Sequence, residues 1–206
     1  MSYTPLFVEL IVIGIGTAIW LLLFAGALFR HKFEAKPLLD NKLFLALLSA
    51  TVYVLGIVTD RQARDLFMPT IEAQAKHSVY TSEKIQQVKA HAPHLTEQNL
   101  SMELEKFIRA NSEALAAKID YNRSRLRICR SWILHFFLIG IGFLVWNVRV
   151  RVIDLKKTIV ILAVDVVFVL LTLQTTIRLA EDHQKDLFES FNIILEAAKH
   201  KVPNGG

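Results

Sequence analysis

Three ionisable residues lie inside long apolar stretches of this sequence, where a charge is costly. Asp165 stands within the apolar run 163–167, and Glu9 and His135 stand about one helical turn inside the ends of two other apolar runs. If these runs cross a bilayer, an ionisable group near the centre costs ~2.5–3.5 kcal/mol on insertion scales. The three residues are therefore the candidate site residues of the chain.

Glu9 and His135 take equivalent positions if the two halves of the chain are repeats. An acid and an imidazole related in this way could meet, and such a pair can relay a proton or bind a cation. The alternative is that both side chains extend to the lipid headgroups.

Asp165 lies on a predicted polar stripe. Thr172 and Thr176 follow it at roughly helical spacing, which is typical of a pore lining and equally of a seam of interhelical hydrogen bonds. Asp165 is then either a site that ions or protons visit or a structural group. In the structural case it is protonated or bonded to a hydroxyl of the neighbouring span, from Ser49, Thr51 or Tyr53.

No catalytic, cofactor or metal motif accompanies these residues. The sequence contains no P-loop, HExxH or GxSxG string,. Its single cysteine, Cys129, excludes CxxC zinc sites and internal disulfides,, and His91 and His94 have too few companions to predict a metal site. We expect no enzyme, no cofactor and no metal.

The chain has four apolar stretches, three of which contain the candidate residues, and each is close to the ~20 residues that cross a bilayer as a helix. They are Leu6–Phe29, Leu38–Val58, Trp132–Val148 and Thr158–Ile177. A hydrophobic fraction of 53% agrees, since soluble domains reach only roughly 45–50% even with glycine counted. We expect an all-α, multi-pass protein of a cell membrane, such as a bacterial inner membrane, with the lipid bilayer as its first partner.

The spans are predicted to form two tight hairpins, separated by a polar helical segment and followed by an amphipathic tail. The four predicted domains are 1–60 (first hairpin), 61–130 (polar segment of two helices, broken near Pro93), 131–178 (second hairpin) and 179–206 (tail). The extensions of the second, third and fourth spans are amphipathic, and each needs a partner for its apolar face. They therefore predict a juxtamembrane helical bundle with coiled-coil-like seams.

One long helix is expected to lead into the third span. It begins near Thr96, a plausible N-cap, and apolar residues recur every three or four positions from Leu100 to Ile119,. No helix breaker follows before Trp132, so we expect helix to continue to about Trp146.

The two halves resemble one another. The string I-G-I-G-x-x-[IV]-W begins at Ile13 and again at Ile139, and Arg64–Phe67 matches Lys185–Phe188 later in each half. A tandem duplication would relate the two hairpins by an axis along the membrane normal. Chance similarity between apolar, low-complexity segments is the alternative.

The glycines of these strings suggest close helix contacts. Gly16 shares a helix face with Trp20, and Gly142 shares one with Trp146. A neighbouring helix could approach closely at each glycine, whereas tryptophans commonly anchor a span at the interface.

The basic residues lie at the ends of the spans. The net charge is +5, and an arginine cluster from Arg123 to Arg130 leads into the third span. Anchoring at lipid headgroups explains such clusters better than nucleic-acid binding does. The basic residues Arg30 and Lys32 after the first span favour cytoplasmic short loops and an external bundle, although the arginine cluster opposes this,.

Two functions fit these features. The first is an oligomer that forms an ion-conducting or complex-forming assembly, because one copy has too few spans to enclose a pore. The alternative is a membrane-embedded sensor or adaptor of envelope-signalling or phage-defence type, whose bundle binds a ligand or partner protein. Further copies of the chain are expected partners, and nucleic acid is not.

Overall fold

The computed structural model describes residues 3–29, 42–91, 99–151 and 153–201, and 96% of these residues are helical, with no strand among them. They form helices α1 (Tyr3–Phe29), α2 (Lys42–Val79), α3 (Ser82–His91), α4 (Leu100–Asn111), α5 (Glu113–Val150) and α6 (Leu155–Lys201). The all-α prediction is confirmed.

Three of these helices, α1, α5 and α6, are long and apolar enough to cross a membrane. They contain the first, third and fourth predicted spans. The second predicted span, Leu38–Val58, begins outside the described residues and continues into the first half of α2. Four spans and a tandem repeat therefore stay predictions.

The chain divides into two compact units. Met1–Pro69 and Arg127–Thr175 form the first, here called the apolar unit, and Thr70–Leu126 and Thr176–Gly206 form the second, here called the bundle unit. Helices α2, α5 and α6 contribute residues to both units.

Within the apolar unit, α5 and α6 form an antiparallel pair. Residue numbers rise along one helix as they fall along the other, and the contacts are Asn147 with Thr158, Gly140 with Asp165, and Phe136 with Phe168. The side chain of Asn147 also bonds to the backbone of Ile153 in the connection between the helices. These hydrogen bonds of Asn147 join the two helices at the end where they are connected.

Helix α1 runs parallel to α5. Each step along α1 is matched by a step in the same direction along α5, through the contacts Glu9 with Arg127, Gly16 with His135, Leu23 with Gly142, and Gly26 with Trp146. A duplication predicts this common direction for the first and third spans.

The bundle unit has its own hydrophobic core, built from the ends of α2, α5 and α6 with α3 and α4. Its most buried members are Val88, Leu100, Leu104, Ile108, Ile119 and Leu187. Four of these are apolar positions of the predicted seam between Leu100 and Ile119. The periodicity correctly identified the buried face, because helix packing requires an apolar residue about once a turn.

The single helix expected from Thr96 to Trp146 is wrong. Helix α4 ends at Asn111, Ser112 is extended (φ −153°, ψ 112°), and α5 begins at Glu113. The Ser112 hydroxyl accepts a bond from the N–H of Leu115 at 3.4 Å, which is an N-cap arrangement that starts a new helix. Thr96 and the predicted break at Pro93 lie outside the described residues.

Candidate functional site

Several polar residues of the apolar unit lie where α5 contacts its neighbouring helices. At the start of this series, Arg127 of α5 pairs with Glu9 of α1, with Nε 3.6 Å from Oε2. Glu9 is only 7% exposed. The parallel register of α1 and α5 brings the two side chains together, so Glu9 points into the protein and has a cationic partner there.

A second ion pair joins α5 to α2. Arg130 donates to Oδ1 of Asp60 through Nη2 at 2.8 Å and through Nε at 3.1 Å, and Ser131 donates to the same oxygen at 3.4 Å. Arg130 is 8% exposed. Because Arg127 and Arg130 are one turn apart, α5 holds α1 with one arginine and α2 with the next.

These ion pairs bear on the role predicted for the arginine cluster. Arg127 and Arg130 pair within the apolar unit, and Arg123 pairs with Glu105 in the bundle unit at 2.6 Å. Arg127 and Arg130 therefore have acidic partners within the protein, and anchoring of the cluster at headgroups stays a prediction. Sequence reasoning missed Asp60, although an acid closing one apolar stretch and arginines opening the next were a usable signal.

Helices α1 and α2 touch backbone to backbone. A Cβ atom added at Gly14 would overlap the Val52 carbonyl oxygen, and one added at Gly56 would overlap that of Leu10. The hydroxyls of Thr17 and Thr59 also join these two helices, through a buried hydrogen bond of 2.8 Å. Small residues and a hydroxyl pair of this kind are typical of helix packing in lipid.

His135 is completely buried between α1 and α5. Its ring fills the space above Gly16, where an added Cβ would overlap it, and Trp132 packs edge-on against it at 5.3 Å. The backbone of Ile13 is nearby, but neither ring nitrogen makes a well-aligned hydrogen bond with a described residue. The imidazole is thus a polar group enclosed by protein rather than one extended to headgroups.

Glu9 and His135 have different neighbours in the structure. Glu9 pairs with Arg127, whereas His135 meets α1 at Gly16, about two turns or ~10 Å farther along that helix. Direct pairing of the acid and the imidazole stays a prediction.

Trp20 is a half-buried residue of α1 whose polar atom is enclosed. Its Nε1 is inaccessible and has no hydrogen-bond partner among the described residues, and its ring packs edge-on against Phe24 at 6.1 Å. The contacts of Gly16 and Leu23 with α5 lie on either side of it along α1. Trp20 therefore stands within the span rather than at its end.

Asp165 lies against the backbone of α5. Its Oδ2 occupies the space that a Cβ at Gly140 would need, and the side chain is half-buried. No described residue donates a hydrogen bond to it. Of its predicted partners, Thr51 donates to the Leu47 carbonyl oxygen at 2.8 Å, and the ring of Tyr53 packs against Phe7.

The two threonines of the predicted polar stripe are placed differently. Thr172 donates to the Phe168 carbonyl oxygen at 2.7 Å within α6. Thr176 belongs to the bundle unit and is fully buried. A pore lined by these residues stays a prediction.

The bundle unit holds a separate ionic network. Glu105 accepts from both Arg109 and Arg123, and Arg109 also pairs with Asp120. His183 is buried near these groups, and its Nδ1 has no hydrogen-bond partner among the described residues. Burial lowers the pKa of His183, and Arg123 adds to this effect.

The chemistry available to the apolar unit is that of charge and proton binding. Within the described ranges, no three His, Cys, Asp or Glu side chains lie close enough to hold a metal ion. No protein-family model, curated protein or solved structure matches this chain. The function proposed below therefore rests on the geometry of the residues described above.

Proposed function

We propose that this chain is a four-span membrane protein that works as a homo-oligomer and forms an ion-conducting assembly. The proposal rests on the exposure of α6. Only 6% of its most apolar stretch is buried, against 33% for α1 and for α5. On this exposed helix stands Asp165, which has no hydrogen-bond partner among the described residues.

The carboxyl group of Asp165, on an exposed apolar helix, needs a hydrogen-bonding partner from outside the single chain. Lipid offers no hydrogen bond, and an unsatisfied polar group in hydrocarbon costs several kcal/mol, about 4–8 on scales where nothing compensates. A second copy of the chain or a hydrated path would supply what is missing. In a cyclic oligomer around the membrane normal, every Asp165 stands at one depth, as in the acidic rings of cation channels.

The contact between α1 and α2 supports a fourth span. Residues 46–58 of α2 are largely apolar, and they touch α1 where Gly14 meets Val52 and where Gly56 meets Leu10. Backbone contacts at glycine are a common way for neighbouring spans to pack. The common direction of α1 and α5 agrees with their places as the first and third of four spans.

Cross-linking between copies tests the oligomer. In a Cys129→Ser background, single cysteines are placed at the exposed α6 positions Val164, Val167 and Leu171, and at the exposed α5 position Val148 as a control. We expect oxidant-dependent dimers from one or more α6 positions and none from Val148. Monomers at every α6 position, together with a monomer mass in nanodiscs, would contradict the proposal.

The bundle unit favours a second candidate, a membrane-embedded sensor or adaptor. Its own core and the buried network around Glu105 and His183 could bind a ligand or partner protein and pass on a shift in helix position. Liposomes separate the two functions, because a sensor without a conducting role gives no ion flux.

A further inference from the structure

The buried and half-buried ionisable residues that α5 carries or contacts in the apolar unit lie on one half of this helix. Between Arg127 and Gly140 this helix contacts Glu9, Asp60 and Asp165 and carries the buried His135. Beyond Gly140 its contacts with α1 are apolar, from Gly142 with Leu23 and Phe24 to Gly26 with Trp146. Asp165 therefore lies where the polar half ends.

Three polar groups in this region make no well-aligned hydrogen bond with a described residue, although the backbone of Ile13 is near His135. They are the two ring nitrogens of His135, Nε1 of Trp20, and the half-buried carboxyl of Asp165. Trp20 stands between the α1 residues that meet His135 and Gly142, so it lies near the depth of Gly140 and Asp165. Unsatisfied polar groups inside a protein are commonly bridged by ordered water.

We propose that these groups line a proton path that enters at the Arg127 end of the apolar unit and reaches Asp165 through His135. The inference rests on the proposed conducting function and names its ion and its side of entry. The charged groups that face the entrance are Glu9 from α1, Asp60 from α2, and Arg127 and Arg130 from α5.

Each residue has a defined part in the transfer. His135 binds a proton on one ring nitrogen and releases the proton of the other, and the Asp165 carboxylate takes up a proton to become a neutral acid. The indole N–H of Trp20 only donates, so it orients a water molecule and carries no proton.

The test uses a hydrophobic carbodiimide, which reacts with protonated carboxyl groups inside membranes. Proteoliposomes of known orientation are prepared with the pH set separately on each side, and the modified Asp165 peptide is quantified by mass spectrometry. We expect labelling to rise about tenfold for each unit of acidification on the Arg127 side while the carboxyl is mostly ionised. Any response to the pH of the other side should not depend on His135, because this path enters at the Arg127 end.

Two variants test the path itself. His135→Phe keeps an aromatic ring above Gly16 without the nitrogens, and Trp20→Phe removes the indole N–H while keeping an aromatic ring; both should slow the response of labelling to pH. The exposed histidine variant His77→Phe is the control and should behave as wild type. Circular dichroism melting curves establish that each variant is folded.

The labelling results distinguish the proton path from the proposed conducting function. Labelling that follows only the pH of the opposite side, or that is unchanged in folded His135→Phe and Trp20→Phe, would overturn the path even if the protein conducts. His135-dependent labelling from the Arg127 side without ion flux would support the path and overturn conduction.

Discussion

Asp165 of α6 lies directly over Gly140 of α5, with its Oδ2 in the space that a Cβ at residue 140 would fill. The missing side chain of Gly140 is what lets a carboxyl group pack between two apolar helices. A glycine on one helix and an acid on the next thus form a matched pair.

Gly140→Ala should displace the end of the Asp165 side chain, so it should leave the protein less stable than Gly26→Ala, in which alanine keeps the ~1 kcal/mol that it gains over glycine in a helix,. Overpacking of this kind costs typically about 1–3 kcal/mol, and thermal unfolding in detergent measures it. Gly26→Ala is the matched control, because a Cβ there would stand 3.3 Å from Trp146 and needs only a small adjustment. Equal melting temperatures for both variants would contradict the packing described.

Gly16 and His135 form a second matched pair, which a double-mutant cycle can test. Gly16→Ala should destabilise the protein because the new methyl group overlaps the imidazole. His135→Ala removes that overlap, so the two changes should be less than additive in the free energy of unfolding, by about 0.5–3 kcal/mol. Strict additivity would mean that the two residues do not contact one another.

Some of this architecture was predictable from sequence, and the reasons are physical. Apolar length identifies spans, and a repeat of three and four identifies the buried seam that contains Leu104 and Ile108. The pairing of Asp60 with Arg130 depends on how separate helices align, which local pattern does not encode. The break at Ser112 had only a weak local signal, a capping residue without glycine or proline.

The bundle unit should lose stability in mild acid because of His183, which lies beyond the fourth predicted span. Burial lowers its pKa, and Arg123 adds to this, while Glu105 and Asp186 act in the opposite direction. Below about pH 6.5 the unfolded chain binds a proton that the folded chain binds only at lower pH. Stability is therefore complete above this pH and falls as the pH drops through it.

Melting curves of wild type and His183→Gln between pH 8 and pH 5 check this prediction. The difference in stability between the two proteins should shift in favour of the glutamine variant as the pH falls. A constant difference across the range would show that His183 titrates alike in the folded and unfolded chains.

The most direct test of the account is ion flux through purified protein in liposomes, measured for wild type, Asp165→Asn and the control Asp154→Asn. Asp154 is an exposed acid near the α5–α6 connection, with a side chain 82% exposed. We expect wild type and Asp154→Asn to conduct alike, and Asp165→Asn to keep its oligomer mass while its flux falls or loses its pH dependence. Wild-type flux no greater than that of empty liposomes would contradict the conducting function, and equal flux in all three proteins would contradict the role of Asp165.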